Sequence, residues 1–189
     1  MVESGGANLP DQDRVFNNYG AMFKEMSRRS KEGILTISVV FGNATAGGAY
    51  VPGMSDYTIM QKQQAKVFLA GPPLVKMATN EESTDEELGG AQMHSSISGV
   101  SDFLAENEDD AIKIARKIIE LNVNDKIQKT NNNLNPPLYK KDELLGIIPE
   151  NLKNPFDIRD LIVRFVDNSE FYEFKENYGV TMKCGWSKI

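Results

Sequence analysis

The chain has 189 residues, 40% hydrophobic and 25% charged, enough for one full domain or one domain plus part of another, and too apolar for a wholly disordered polymer. Lys plus Arg total 21 against 27 Asp plus Glu, a formal charge of −6, so no broad cationic surface for nucleic acid is expected. The single Cys, Cys184, excludes an intrachain disulfide framework, and with His94 as the one His a Cys/His zinc site is not expected; the lack of cysteine pairs suits a reducing compartment.

No apolar run approaches the ~20 residues that a membrane helix needs. Met1–Ala7 has neither the basic start and apolar stretch of a signal peptide nor the Arg-rich look of an organellar presequence. The chain opens on a turn-like Ser4-Gly5-Gly6-Ala7. Such a turn usually needs a strand ahead of it, and the pattern predicts none here, so the chain reads as the later part of something longer. Phe16, Tyr19, Met22, Phe23 and Met26 then recur at helical spacing, predicting a helix to Lys31. Arg28, Arg29 and Lys31 suit its C-terminal dipole and Gly33 ends it. Ile34–Phe41 is apolar with little alternation, as in a strand covered on both faces. Gly42–Ala49 follows as a small-residue loop that leads into a helix, an arrangement that brings backbone close to a ligand.

Strands are predicted at Tyr57–Gln61 and Lys66–Ala70, and Gly71-Pro72-Pro73 starts a short helix through Ala78. Thr84 and Glu87 fit a capping box, and Leu88-Gly89-Gly90-Ala91 ends that helix. Asp109–Leu121 has acidic residues first, basic residues later and one apolar stripe. Asn122–Pro137, with Asn131-Asn132-Asn133 and Pro136-Pro137, reads as a linker. Beyond it, Lys141–Gly146 and Asp157–Val166 look helical and Glu170–Phe174 looks like a strand. This tail, with Phe156, Phe165, Phe171, Phe174 and Trp186, is too short and aromatic to be stable alone and reads as the start of a second domain. Alternating strands and helices with Gly-rich connections point to an α/β fold and would also suit a spiral of βα units.

Side-chain catalysts are scarce. His94 beside a Gly-Gly turn reads as a surface or turn residue, and Cys184 has no His near it in sequence. The acidic clusters at Glu81–Glu87 and Glu106–Asp110 read as solvated helix starts rather than metal sites. There is no Walker phosphate loop, and Ala46–Ala49 lacks dinucleotide-fingerprint spacing. Lys76 lacks the Met-Lys-Met context of a biotin-attachment lysine. What remains are backbone donors. In Gly5-Gly6-Ala7 and Ala46-Gly47-Gly48-Ala49, N–H groups free of bulky neighbours could converge on one carbonyl oxygen as an oxyanion hole. By spacing alone, tight turns and close helix packing are the favoured account of these glycines, because Gly-Gly pairs are common.

Five ordered blocks change the weighting: Ser4-Gly5-Gly6-Ala7-Asn8-Leu9-Pro10-x-Gln12, Thr45-Ala46-Gly47-Gly48-Ala49-Tyr50-Val51-Pro52-x-Met54-Ser55-Asp56, Phe68–Lys76, Leu88-Gly89-Gly90-Ala91 and Ser98-Gly99-Val100-Ser101-Asp102. With Pro137-Leu138-Tyr139, Asp142-Glu143-Leu144, Asn154–Arg159, Glu173-Phe174-Lys175 and Tyr178-Gly179, they resemble the biotin-dependent acyl-CoA carboxyltransferases, nearest to the β subunit of methylcrotonoyl-CoA carboxylase. The resemblance implies a crotonase-like (ClpP/crotonase) α/β fold built as a ββα spiral. It implies that residues 1–121 are the C-terminal part of the N-terminal carboxyltransferase domain, 122–137 a linker and 138–189 the start of the C-terminal domain. The chain would then be a fragment of a longer family protein.

The resemblance further implies transfer of a carboxyl group from carboxybiotin, carried by a partner domain or subunit and not attached to this chain, to an acyl-CoA enolate, with biotin itself as base. No metal is called for. Gly6, Ala7, Gly47 and Gly48 would supply N–H groups to the thioester oxygen, and Thr45, Ala46, Tyr50, Gly71 and Pro72 would line the acyl-CoA path. A second donor pair, for biotin, would belong to the other domain. The implied substrate is 3-methylcrotonoyl-CoA, in leucine degradation, with propionyl-, acetyl- and geranyl-CoA open. The implied partners are a biotin-carrying biotin carboxylase subunit and further β subunits in a homo-oligomer, with no nucleic acid and no membrane. A mitochondrial matrix home would follow from a eukaryotic source and a cytoplasmic one from a bacterial source. Two other readings stand beside it: a non-catalytic fragment that binds acyl-CoA or carboxylase subunits, and a hydratase-type relative, which would need Glu side chains at the site.

Overall fold

The computed structural model describes residues 1–7, 9–127, 135–151 and 153–189. Asn8 of the first block and residues 128–134 of the expected linker lie outside them. The chain divides into two compact units, Met1–Ile119 and Glu120–Ile189.

The first unit is built on parallel strands: β1 (Val2–Ser4), β2 (Ile37–Thr45), β3 (Tyr57–Gln61), β4 (Lys66–Phe68) and β5 (Phe103–Ala105). The order is β1-β2-β3-β5, and β4 also pairs with β2. Register explains how β2 serves three neighbours. Its first half, Ile37–Val40, pairs with Tyr57–Met60, and its second half, Asn43–Thr45, pairs with Lys66–Phe68. On the opposite side it takes β1, with Val2 against Val40 and Ser4 against Ala44.

Burial follows the pattern expected of parallel strands with both faces covered. Val2, Val40, Ala44, Met60, Ala65, Val67 and Ala91 form one cluster, and strand alternation turns Val39, Ile59 and Phe103 the other way. Ile59 and Met60 are fully buried, roughly 1.5–3 kcal/mol each of hydrophobic stabilisation.

Two features differ from expectation at the start. A strand does precede the Ser4–Ala7 turn, and three residues suffice because Val2 and Ser4 find a preformed edge on β2. β2 also begins three residues later than Ile34 and runs on through Gly42-Asn43-Ala44-Thr45, which had read as loop. Gly and Asn disfavour strands, but Ala44 is clamped between β1 and β4 and fully buried, so tertiary pairing overrides propensity.

The helices are α1 (Gln12–Lys31), α2 (Tyr50–Met54), α3 (Pro72–Thr79), α4 (Asp85–Gly89), α5 (Ala91–Met93) and α6 (Glu108–Ile127). α1 stops at Gly33, which takes φ +69°, and α3 starts at Gly71 with Pro72 and Pro73 in its first turn. The Thr84–Glu87 capping box forms, and the Thr84 amide and hydroxyl hold the Glu87 carboxyl below its ordinary range. α6 runs six residues beyond the expected Leu121, because rising polarity does not stop a helix in which no Gly or Pro stands.

Acidic and hydroxyl side chains pin the amino ends of the strands. The Asp56 carboxylate accepts from the Thr36 amide and hydroxyl, both at 2.7 Å, just before β3 and β2. Asp102, just before β5, accepts the Thr58 amide at 2.7 Å. The Ser55 and Ser38 hydroxyls meet at 2.7 Å, and the Thr58 hydroxyl donates to the Pro52 carbonyl.

The free edge of β4 is sealed by Gly89, Gly90 and His94. Gly89 and Gly90 are buried, and a Cβ at Gly89 would overlap the Val67 carbonyl. His94 is buried rather than a surface or turn residue. Its Nε2 lies 2.7 Å from the Val67 carbonyl oxygen, and because that oxygen only accepts, Nε2 carries the proton. Nδ1 lies 2.7 Å from the Ser98 hydroxyl in a π-helical turn over His94–Ser98.

The second unit contains α7 (Leu144–Ile147), α8 (Ile158–Ile162) and an antiparallel pair, β6 (Tyr172–Phe174) with β7 (Cys184–Trp186). Trp186 packs at 6.3 Å from Tyr172 and edge-on to Phe174 at 5.5 Å between ring centroids. Lys183 and Glu173 pair at 2.6 Å with both side chains nearly nine-tenths buried, and Arg159 joins Glu173 to Asp157. Among the described residues no helix is long and apolar enough to cross a membrane.

Glycines of opposite kind test this packing. Gly20, exposed in the middle of α1, has open space where a Cβ would sit. Gly20→Ala is expected to stabilise the protein by about 0.5–1 kcal/mol. Gly89→Ala drives a methyl into the β4 backbone and is expected to destabilise by about 1–3 kcal/mol. Thermal denaturation of the two variants measures both signs; a neutral Gly89→Ala refutes the sealed edge.

Candidate functional site

The residues singled out from sequence sit on three segments, each leaving the carboxyl end of a parallel strand. Gly6 and Ala7 follow β1, Ala46–Ala49 follows β2, and Leu69-Ala70-Gly71-Pro72 follows β4. Because Ser4 is in register with Ala44, and Phe68 with Thr45, the three segments emerge side by side. Ligands of open α/β sheets bind beyond the carboxyl ends of the strands, and these loops occupy that position.

In the first loop Gly6 has φ +99°, a conformation that strongly favours glycine, and its N–H reaches the Ser4 hydroxyl oxygen at 3.3 Å. Gly5, Gly6 and Ala7 are exposed. In the second, Ala46 takes φ +53°, an uncommon conformation for a residue with a Cβ, where the chain breaks from β2 into a tight helical turn over Ala46–Ala49. The leading N–H groups of such a turn have no acceptor within it. Gly48 is buried and lies against β1: a Cβ there would stand 3.0 Å from Ser4 Cβ and 3.2 Å from Ser4 Oγ. The two Gly loops are therefore neighbours in space, about 40 residues apart in sequence.

Gly47 differs. A Cβ at Gly47 would meet the Tyr19 ring at 3.6 Å, an ordinary contact, and its φ is not left-handed. Packing does not require a glycine there. Tyr19 belongs to a tilted aromatic row, with Phe23 at 5.8 Å and then Tyr50 at 5.4 Å between centroids, and Tyr50 is 52% exposed. The sequence singles out Tyr50, whereas Tyr19 and Phe23 read from it only as a helix stripe. In the third segment Gly71 is half-buried, a Cβ there would meet the Phe68 ring at 3.6 Å, and Pro72 opens α3.

Charge is sparse. None of the residues named for the site is Asp, Glu, Lys, Arg or His. Among the described residues no group of three or more His, Cys, Asp or Glu could hold a metal. Lys76 on α3 pairs with Glu82 at 2.5 Å. The arrangement offers backbone N–H groups, small side chains and an aromatic ring, a set suited to an uncharged carbonyl oxygen that gains negative charge during reaction.

Comparisons with known proteins fit this geometry. Residues 1–189 match the family described as carboxyl transferase domain. The chain is 53% identical over 189 residues to the probable biotin-dependent acyl-coenzyme A carboxylase beta2 subunit of Mycobacterium tuberculosis, covering all of this chain and 36% of that protein. It is 47% identical over 194 residues to the mitochondrial methylcrotonoyl-CoA carboxylase beta chain of Dictyostelium discoideum, covering all of this chain and 33% of that one. A solved transcarboxylase 12S structure with hydrolyzed methylmalonyl-coenzyme A bound superposes with a TM-score of 0.84 at 31% identity, over 99% of this chain and 37% of that one. The chain thus spans about a third of the length of the curated relatives it matches.

The room around the paired glycines gives a stability test. Gly47→Ala is expected to melt within about 1 kcal/mol of the parent, whereas Gly48→Ala presses a methyl on the Ser4 side chain, which must give by a few tenths of an ångström, and is expected to cost more, about 1–3 kcal/mol. Chemical denaturation of both variants decides it, and equal losses would mean that the loops do not pack as described.

Proposed function

Because the chain belongs to the carboxyl transferase domain family, we propose that it carries the acyl-CoA side of a carboxyltransferase site in a biotin-dependent acyl-CoA carboxylase. Main-chain N–H groups of Gly6/Ala7 and Gly47/Gly48 polarise the thioester carbonyl and stabilise the enolate oxygen as charge develops on it. Thr45, Ala46, Tyr50, Gly71 and Pro72 line the path of the acyl-CoA. The observation that carries this reading is the convergence of bare backbone loops at the carboxyl ends of β1, β2 and β4, with Gly48 resting on Ser4.

Carboxybiotin, held on a partner domain or subunit, supplies the carboxyl group. The donors named here fit a thioester oxygen, and none of them is reserved for biotin, whose own donor pair the family resemblance puts in the second domain. The chain's task in this scheme is to bind the thioester, orient it and keep its oxygen charged while the acyl carbon reacts.

The substrate we favour is 3-methylcrotonoyl-CoA, on the strength of the 47% identity to a methylcrotonoyl-CoA carboxylase beta chain. We read residues 1–121 as the later part of an N-terminal carboxyltransferase domain, 122–137 as the linker and 138–189 as the opening of the C-terminal domain. The partners of this reading are the acyl-CoA, a biotin-carrying subunit and further copies of the β subunit. The compartment follows the source, mitochondrial matrix or bacterial cytoplasm.

The full-length enzyme, assayed with its biotinylated partner against methylcrotonoyl-, propionyl-, acetyl- and geranyl-CoA, tests the reading. Methylcrotonoyl-CoA is expected to give the highest kcat/KM. Gly47→Val, which screens the loop amides with methyl groups, is expected to lower carboxyl transfer by about 10²–10³-fold, the loss typical of one missing donor, without unfolding the protein. A near wild-type rate in a folded Gly47→Val enzyme refutes the oxyanion assignment.

A further inference from the structure

We infer that Ser4 is a positioning residue of the thioester site, and that it gives the donor role in the first loop to the Ala7 amide rather than to Gly6. This rests on the acyl-CoA reading above and deepens it. Ser4 closes β1, and its hydroxymethyl group lies between the two loops. Its Oγ accepts the Gly6 N–H at 3.3 Å, while its Cβ and Oγ stand 3.0 and 3.2 Å from the position a Cβ would take at Gly48. One small side chain thereby orients the first loop and sets its spacing to the second.

An amide carries one hydrogen. Aimed at a hydroxyl two residues back, the Gly6 N–H closes a local side-chain turn and is not directed at a ligand. The same turn holds Gly6 at φ +99° and so fixes the direction of the next peptide, whose N–H belongs to Ala7. Among the described residues no acceptor faces the Ala7 amide. The thioester oxygen would then be held by Ala7 from one loop and by the Gly47–Gly48 stretch from the other, with the bare surface of Gly48 letting both loops rest on Ser4.

Amide-resolved NMR of the 15N-labelled full chain, with 3-methylcrotonoyl-CoA as the probe, tests this in the parent, Ser4→Ala and Ser4→Thr. Without ligand, the Gly6 proton is expected to show the shallow temperature dependence of a bonded amide in the parent and in Ser4→Thr, which keeps the oxygen. It is expected to steepen in Ser4→Ala. With ligand, the Ala7 and Gly47 protons are expected to move downfield in the parent while Gly6 stays; in Ser4→Ala, Gly6 responds as well. A Gly6 amide indifferent to loss of the hydroxyl, or one that moves more than Ala7 in the parent, overturns the proposal, and the parent spectra alone decide the second point if Ser4→Ala does not fold. If the ligand-free results hold but no loop amide responds to the CoA thioester, the acyl-CoA reading fails and takes the Ala7 assignment with it, while the Ser4 turn itself stands.

Discussion

The parallel pairing of β2 with β1 on one side and β4 on the other is the constraint on which the rest depends. Parallel strands end together, so whatever follows them emerges at one place. Ser4 opposite Ala44 and Phe68 opposite Thr45 put three chain breaks within a strand or two of each other. The sheet therefore converts motifs scattered over about 70 residues of sequence into one patch of backbone. Side chains enter mainly by being small.

The blocks that mark the family divide by the end of the sheet they serve. Asp56 and Asp102, with Thr36, Ser38, Ser55 and Thr58, tie the amino ends of β2, β3 and β5 together by hydrogen bonds of 2.7–3.0 Å or through shared hydroxyls. These carboxylates are acceptors held by amides, which is a structural duty. Gly89, Gly90 and His94 seal the β4 edge, and the His94 imidazole uses both nitrogens in doing so. The Gly loops lie at the opposite, carboxyl ends of β1 and β2. The fold is α/β and crotonase-like, built on a parallel sheet, in agreement with its structural neighbour.

Much of this was legible in the sequence because local chemistry and final structure agree. Gly71-Pro72-Pro73 can start a helix and cannot continue a strand, the Thr84–Glu87 box forms from residues three apart, and Tyr57–Gln61 is bounded as expected. The strands that the pattern does not announce share one cause. β1, β5 and the end of β2 are strands by virtue of their neighbours, with three residues or poor β-formers such as Gly42 and Asn43, and no local pattern announces them. β7 is missed for the same reason, since Cys184-Gly185-Trp186 acquires strand form by pairing with Tyr172–Phe174. His94 reads from sequence as a surface or turn residue because its partner, Val67, is 27 residues away. The row Tyr19, Phe23 and Tyr50 joins two distant helices, so periodicity revealed α1 but not what its aromatic face meets.

A site made of main-chain donors leaves few of the usual marks. Among the described residues, Glu25, Glu87, Asp157 and Arg159 have displaced pKa values; they are at least partly exposed, owe their shifts first to hydrogen bonds with Arg28, Thr84 and each other, and none of them lies on a Gly loop. A search for perturbed titratable groups would therefore pass the loops by. What distinguishes them is the reason each glycine is bare. Gly89 is bare because a Cβ has no room, Gly48 because a Cβ would press on the Ser4 side chain, and Gly6 because its backbone angle favours no side chain. Gly47 has room, an ordinary backbone angle and an aromatic neighbour at contact distance, so the fold alone does not call for it. A bare residue without a packing reason, on a loop at the carboxyl end of a parallel strand, suits the close approach of a ligand to its backbone, which is the place the proposed function gives to the thioester carbonyl.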